Sequence, residues 1–138
     1  RFKIGVGRIL QDGDDITIIT TGSMLHTGRH VSKMLADQNI SARLISMPTV
    51  KPLDEKLVLE SAKRTKAIFT IEEHSLIGGL GSAVCETLAE SKHRVLVKRF
   101  ALPDKYGKFI GDQQYLLAQR GLLPTQIAER INSIIGDI

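Results

Sequence analysis

The densest chemistry lies between Thr70 and Ser82, where the chain reads Thr-Ile-Glu-Glu-His-Ser-Leu-Ile-Gly-Gly-Leu-Gly-Ser. Two carboxylates and an imidazole, Glu72, Glu73 and His74, follow an apolar run. Three glycines and Ser82 then lead into an apolar helical pattern. A helix N-terminus offers unpaired N–H groups and the positive end of a dipole. Glycines let a ligand or another backbone come close. Gly79, Gly81 and Ser82 are therefore candidates to hold an anion, with Gly22 and Ser23 facing them across a cleft. The competing reading, which we prefer for this segment, is that the glycines allow tight strand-to-helix packing. A dinucleotide fingerprint would need Gly or Ala three residues after Gly81. Val84 stands there, which argues against that cofactor.

Glu72, Glu73 and His74 have the residue types of an acid/base group. Neighbours on a strand point to alternate sides, so the three cannot share one site. We read them as structural or interface residues and assign no catalytic role. His26 and His30 are four apart on a helical pattern, but Thr27 stands where a zincin would carry its glutamate. They read as surface residues, and no metal site is expected. Cys85 interrupts an apolar helix pattern and reads as a small core residue. Neither a phosphate-binding loop nor a nucleophile elbow is present.

Positioning these residues needs a scaffold, and the hydrophobic pattern supplies one. Ile16–Thr20, Ala42–Ser46, Ala67–Ile71 and Val95–Arg99 read as buried strands. Thr21-Gly22-Ser23 ends the first and can cap a helix whose face is Met24, Gly28, Val31 and Leu35. Pro48 and Pro52 predict an extended connection. Asp54 is placed to cap a helix with Leu57, Val58 and Ala62 inside. Leu80, Val84 and Leu88 line a third helix from about Gly81 to Ser91. Ile127, Ile131, Ile134 and Ile135 line the last, with Pro124 in its first turn. Arg8-Ile9-Leu10 followed by Gln11-Asp12-Gly13-Asp14 suggests a hairpin with the first buried strand, hence an antiparallel edge. Strand–helix alternation implies a mostly parallel sheet with helices on both faces and a ligand cleft where the winding reverses. The expectation is one domain over residues 1–138, an α/β/α sandwich.

The chain has 138 residues, 42% hydrophobic and 25% charged, which suits one aliphatic core. One cysteine precludes an internal disulfide and fits a reducing, cytoplasmic setting. No apolar run is long enough to cross a bilayer. The net charge is +4. Lys92, His93, Arg94, Lys98, Arg99, Lys105 and Lys108 fall close together, opposed by Asp104. Without interleaved aromatic residues this stretch reads as a solvated face or a subunit contact rather than a nucleic-acid surface. Arg1 in place of Met suggests a piece of a longer protein.

Taken in order, these segments resemble the transketolase C-terminal domain. The matches are Phe2–Gly5, Gly13–Ile19, Thr21–Ser23, Pro52-Leu53-Asp54, Glu72–Ser75, Gly78–Ser82, Asp104, Gly111 and Gly121-Leu122. Glu-Glu-His followed by Gly-Gly-Leu-Gly is the most specific part. The likeness covers nearly the whole chain and looks closest to the smaller section of split bacterial-type transketolases. Deoxyxylulose-phosphate synthase and 2-oxo-acid dehydrogenase β subunits carry a similar domain. The resemblance implies a five-stranded sheet with one antiparallel edge strand. It also implies a parent enzyme that uses thiamine diphosphate and Mg for two-carbon ketol transfer, usually as a homodimer. In that family the coenzyme is held by preceding domains. The Gly-Asp-Gly diphosphate motif is missing, so no cofactor is expected on this chain and no catalytic residue is carried over. Gly22, Ser23, Glu73, His74, Gly79, Gly81 and Ser82 remain as anion-binding or interface candidates. The function implied is a non-catalytic domain supporting architecture and dimerisation. The alternatives are a regulatory anion- or nucleotide-binding module, or a docking domain for another subunit. Leu123 stands where the family often has a Thr cap, with Gln126 placed to satisfy part of that helix start.

Overall fold

A computed structural model describes all 138 residues. The elements run β1 (Arg8–Gln11), β2 (Ile16–Thr20), α1 (Met24–Ala36), β3 (Ala42–Ser46), α2 (Glu55–Arg64), β4 (Ala67–Ser75), α3 (Leu80–Ala89), β5 (Leu96–Leu102), α4 (Gln113–Gln119) and α5 (Pro124–Gly136). The strands form one sheet in the order β1-β3-β2-β4-β5. All pairings are parallel except β1 with β3. The five-stranded, mostly parallel α/β/α architecture is thus as expected.

The expected hairpin is not formed: β1 pairs with β3, not with β2. Arg8 lies opposite Ser46 and Ile9 opposite Ile45. Both edges of β2 are taken by parallel neighbours, and every residue of β2 is buried. An antiparallel strand must therefore sit outside β3, where the mostly exposed β1 suits an edge. Gly13 permits the crossing, because a Cβ there would collide with the backbone of Ala42 and Arg43.

Both faces of the sheet are covered. Ile16, Ile18, Leu44, Phe69 and Phe100 pack under α1 and α5, meeting Val31, Leu35, Ile127 and Ile131. Ile19, Ile45 and Ile68 pack under α2 and α3, meeting Val58, Leu80, Val84 and Leu88. The α1 face is buried at Met24, Gly28, Val31 and Leu35, as its spacing predicts. Ile127 and Ile131 are fully buried, while Ile134 and Ile135 cover the core margin.

Helix starts follow local chemistry. Asp54 caps α2 through Oδ1, which accepts the Leu57 N–H at 3.1 Å, and its Oδ2 accepts the Gly7 N–H at 2.9 Å. Ser23 sits at the α1 start but makes no capping bond. At α5, Leu123 has no acceptor to offer. Gln126 Oε1 instead accepts the Leu123 N–H at 3.0 Å. The connection carrying Pro48 and Pro52 bends at Lys51-Pro52, whose peptide bond is cis, instead of staying extended.

Strands β4 and β5 each run further than their apolar cores. β4 continues through Ser75, and β5 ends at Leu102, with Ser75 opposite Leu102. The short helix α4 was not anticipated. It buries no residue fully, only Leu117 packs against the core, and its start is marked by Asp112, whose Oδ1 accepts the Tyr115 N–H at 2.8 Å.

On β3, Arg43 is fully buried and donates to Glu60 of α2 at 3.0 Å, with Asp12 at 3.7 Å. Arg64 joins Asp12 and Asp14 at 3.2 and 2.8 Å. The hydrogen bond to Asp14, foremost, holds the Arg64 pKa above its ordinary value. This network ties the β1–β2 connection to α2.

Candidate functional site

The winding reverses between β2 and β4. From β2 the chain passes outward through α1 to β3, and then returns through α2 on the other face to β4. The crevice beyond the carboxyl ends of β2 and β4 is thus the place a ligand would enter. The residues there are Thr21-Gly22-Ser23 and Glu72-Glu73-His74.

Strand alternation sends the three polar residues of β4 to different partners. Glu72 is only 1% exposed. Its Oε1 accepts the Leu80 N–H at 2.8 Å and its Oε2 accepts the Gly81 N–H at 2.6 Å. A strand carboxylate therefore seals the first turn of the following helix and meets its dipole with a negative charge. Gly79 makes this approach feasible, since a Cβ there would overlap the Glu72 carboxylate. Gly81 lies against β5: an added Cβ would come within 2.7 Å of Arg99 Cδ and 2.8 Å of Thr70 Oγ1. The Gly81 N–H, a candidate anion donor in the sequence, is already committed. These contacts favour tight packing over anion binding at this turn.

His74 projects to the same side as Glu72, with Nδ1 3.8 Å from Glu72 Oε1 and 2.9 Å from the Ser75 carbonyl. Its side chain is 58% exposed. Glu73 turns the other way. It accepts from Ser23 Oγ at 3.2 Å and from Gln113 Nε2 at 2.7 Å. Ser23 thus bridges the switch point instead of capping α1. Ser82 Oγ accepts the Gly78 N–H at 2.9 Å and donates to the Leu76 carbonyl at 3.2 Å. Arg99 Nη1 also donates to that carbonyl at 2.7 Å.

Six of the seven candidates therefore fall into two groups. Ser23 and Glu73 meet across the crevice together with Gln113. His74, Gly79, Gly81 and Ser82 gather around Glu72 and Arg99. Gly22 adopts a positive φ of 58° and has no neighbour in Cβ reach. Gln113 was not singled out in the sequence, because α4 gives no periodic signal. No group of three or more His, Cys, Asp or Glu side chains is placed to hold a metal. His26 and His30 are exposed, with ring centroids 4.3 Å apart. Cys85 is half-buried and outside both core clusters, less buried than its pattern predicts.

The basic stretch is spread along β5, with Lys98 and Arg99 inside the strand. Lys92, His93 and Arg94 precede β5, and Lys105 and Lys108 follow it. The seven-residue strand separates the two groups by about 20 Å.

Fold and site together define a doubly wound α/β/α domain with one antiparallel edge and a helix sealed by a strand glutamate. Residues 5–127 match the family described as transketolase, C-terminal domain, and the chain belongs to that family. It is 38% identical over 130 residues to a putative transketolase C-terminal section from Methanocaldococcus jannaschii, covering 94% of this chain and 40% of that protein. It is 42% identical over 132 residues to a 1-deoxy-D-xylulose-5-phosphate synthase from Picosynechococcus, covering 96% of this chain but 20% of the relative. Among solved structures, a split-gene transketolase, described as an inactive beta4 tetramer, superposes with a TM-score of 0.90 at 38% identity. That match covers 99% of this chain and 44% of the other. A transketolase from Pichia stipitis shares the fold, with a TM-score of 0.71 at 22% identity over 94% of this chain and 18% of the other. The chain thus spans between 18% and 44% of the length of these proteins. No helix is long and apolar enough to cross a membrane.

Proposed function

We propose that this chain is the non-catalytic C-terminal domain of a cytoplasmic, thiamine-diphosphate-dependent enzyme of the transketolase type. In the longer protein it supports the catalytic domains and the homodimer, while ketol transfer takes place elsewhere. The observation that carries this reading is the internal use of the switch-point donors. Glu72 takes the Leu80 and Gly81 N–H groups, so the turn best suited to a coenzyme diphosphate is already closed by the chain's own carboxylate. The residues do not fit the coenzyme in other respects either, since the diphosphate motif and a metal-holding cluster are both lacking.

Apolar side chains left uncovered support an architectural role. Phe2 and Ile4 are more than 60% exposed, and Tyr106 and Ile110 are almost wholly so. Such side chains suit burial against preceding domains or a second subunit.

The test compares the 138-residue chain with the longer protein for thiamine-diphosphate-dependent ketol transfer from a ketose phosphate. We expect turnover only from the longer protein, and turnover by the chain alone defeats the proposal. The likeness to 1-deoxy-D-xylulose-5-phosphate synthases favours a second reading, the same supporting role in a synthase of that type. Formation of 1-deoxy-D-xylulose 5-phosphate by the longer protein, in place of ketol exchange between sugar phosphates, would select it.

A further inference from the structure

We propose that the outer edge of β5 carries a binding site for the phosphoryl group of a small phosphorylated molecule, formed by Lys98, Arg120 and Arg130. The three residues come from separate elements: β5, the C-cap of α4 and the second turn of α5. They line one groove of about 370 Å³, and no carboxylate is among its lining residues. Within β5, Phe100 packs under α5 and Val97 packs under α3. Lys98, two residues before Phe100, therefore projects to the α5 side, toward Arg130.

The charges in this groove are uncompensated. Arg43 and Arg64 are paired with Asp12, Asp14 and Glu60, and the remaining ion pair belongs to His74. Lys98, Arg120 and Arg130 belong to none of these pairs. Arg99 also borders the groove, but its guanidinium is held on the α3 side by the Leu76 carbonyl. Gln126 is a wall and not a ligand, because its Oε1 serves Leu123 and its Nε2 donates to the Ala118 carbonyl at 3.0 Å.

Two further features suit a compact anion. At the first turn of α5 beside the groove Leu123 offers no side-chain acceptor, and Gln126 Oε1 takes only the Leu123 N–H, so the helix start carries no neutralising carboxylate. Gly121 leaves the adjacent space open, with nothing in reach of a Cβ. A phosphoryl dianion matches three cations lining one groove, and guanidinium groups bind it through paired hydrogen bonds. The groove has no exposed aromatic ring on which a base would stack, since Phe100 is 7% exposed. A nucleic acid is therefore the poorer match.

The experiment titrates the 138-residue chain with inorganic phosphate and glycerol phosphate at constant ionic strength, against chloride, and follows backbone amide shifts. Saturable shifts confined to Lys98, Arg120–Leu122 and the start of α5 are expected. Arg130→Gln and Lys98→Gln should each weaken binding about tenfold, the loss of one charge-assisted hydrogen bond. Arg130→Lys should lose less, and Lys92→Gln, outside the groove, should change nothing. Shifts that never saturate, or affinity unchanged in both groove variants, would mean an adventitious ion only and overturn the proposal. Tighter, strongly salt-dependent binding of a single-stranded oligonucleotide at the same amides would overturn it in favour of a nucleic-acid surface.

Discussion

Removing the Glu72 carboxylate should weaken the fold more than any other single change at the switch point. Its two oxygens accept the Leu80 and Gly81 N–H groups in a buried setting. In Glu72→Ala both donors lose their acceptor, at about 1–3 kcal/mol each. The favourable meeting of carboxylate and helix dipole also disappears, worth about 0.3–2 kcal/mol. Partial entry of water offsets some of this, which leaves a loss of about 3–5 kcal/mol. That is a large share of the stability of an ordinary domain. Glu72→Gln keeps the shape but sets an NH₂ group against one N–H donor, so its cost should be smaller, about 2 kcal/mol. Urea unfolding followed by circular dichroism measures both. With a slope of about 1–3 kcal/mol per molar, the alanine variant should unfold at least 1 M earlier. Amide exchange at Leu80 and Gly81 should quicken in the same order. A Glu72→Ala midpoint equal to that of the parent, with unchanged exchange at both amides, would refute the reasoning.

Other substitutions probe neighbouring parts of the account. Gly13→Ala drives a Cβ within 2.7 Å of Ala42 O and Arg43 N, backbone atoms that cannot rotate away, and should cost about 1–3 kcal/mol in urea unfolding. Glu60→Ala leaves the buried Arg43 guanidinium with only the longer Asp12 contact, so it should destabilise by more than Arg43→Met, which replaces the charge by an apolar chain of similar reach. The same denaturation series ranks the pair. Ser23→Ala removes an exposed bond to Glu73 and no helix cap, so its cost should stay below about 1 kcal/mol.

Much of the fold was legible because burial on one face or two leaves a periodic trace. The ranges of β2 and β3 match the apolar runs residue for residue, and the α1 stripe is buried where its spacing places it. The neighbour of β1 was not legible. An antiparallel edge follows from the turn residues, but which strand accepts it depends on β2 having both edges occupied. The extension of β4 was only partly legible, because the apolar run stops at Ile71 and Glu72 finds its buried partners only across the glycine turn. Alternation did separate Glu73 from Glu72 and His74, as the strand geometry requires. Arg43 carried a missed signal: an arginine inside an apolar strand needs a carboxylate nearby, and Glu60 and Asp12 supply it. Gln113, Arg120 and Arg130 left no trace, because their meeting points are set by how α4 and α5 return to the sheet.

The central claim is that this chain is a scaffold with no seat for the coenzyme. Titrating thiamine diphosphate and Mg²⁺ into the 138-residue chain in a calorimeter tests it most directly. The account predicts no saturable, metal-dependent heat at millimolar coenzyme. A one-to-one isotherm that requires the metal would contradict it.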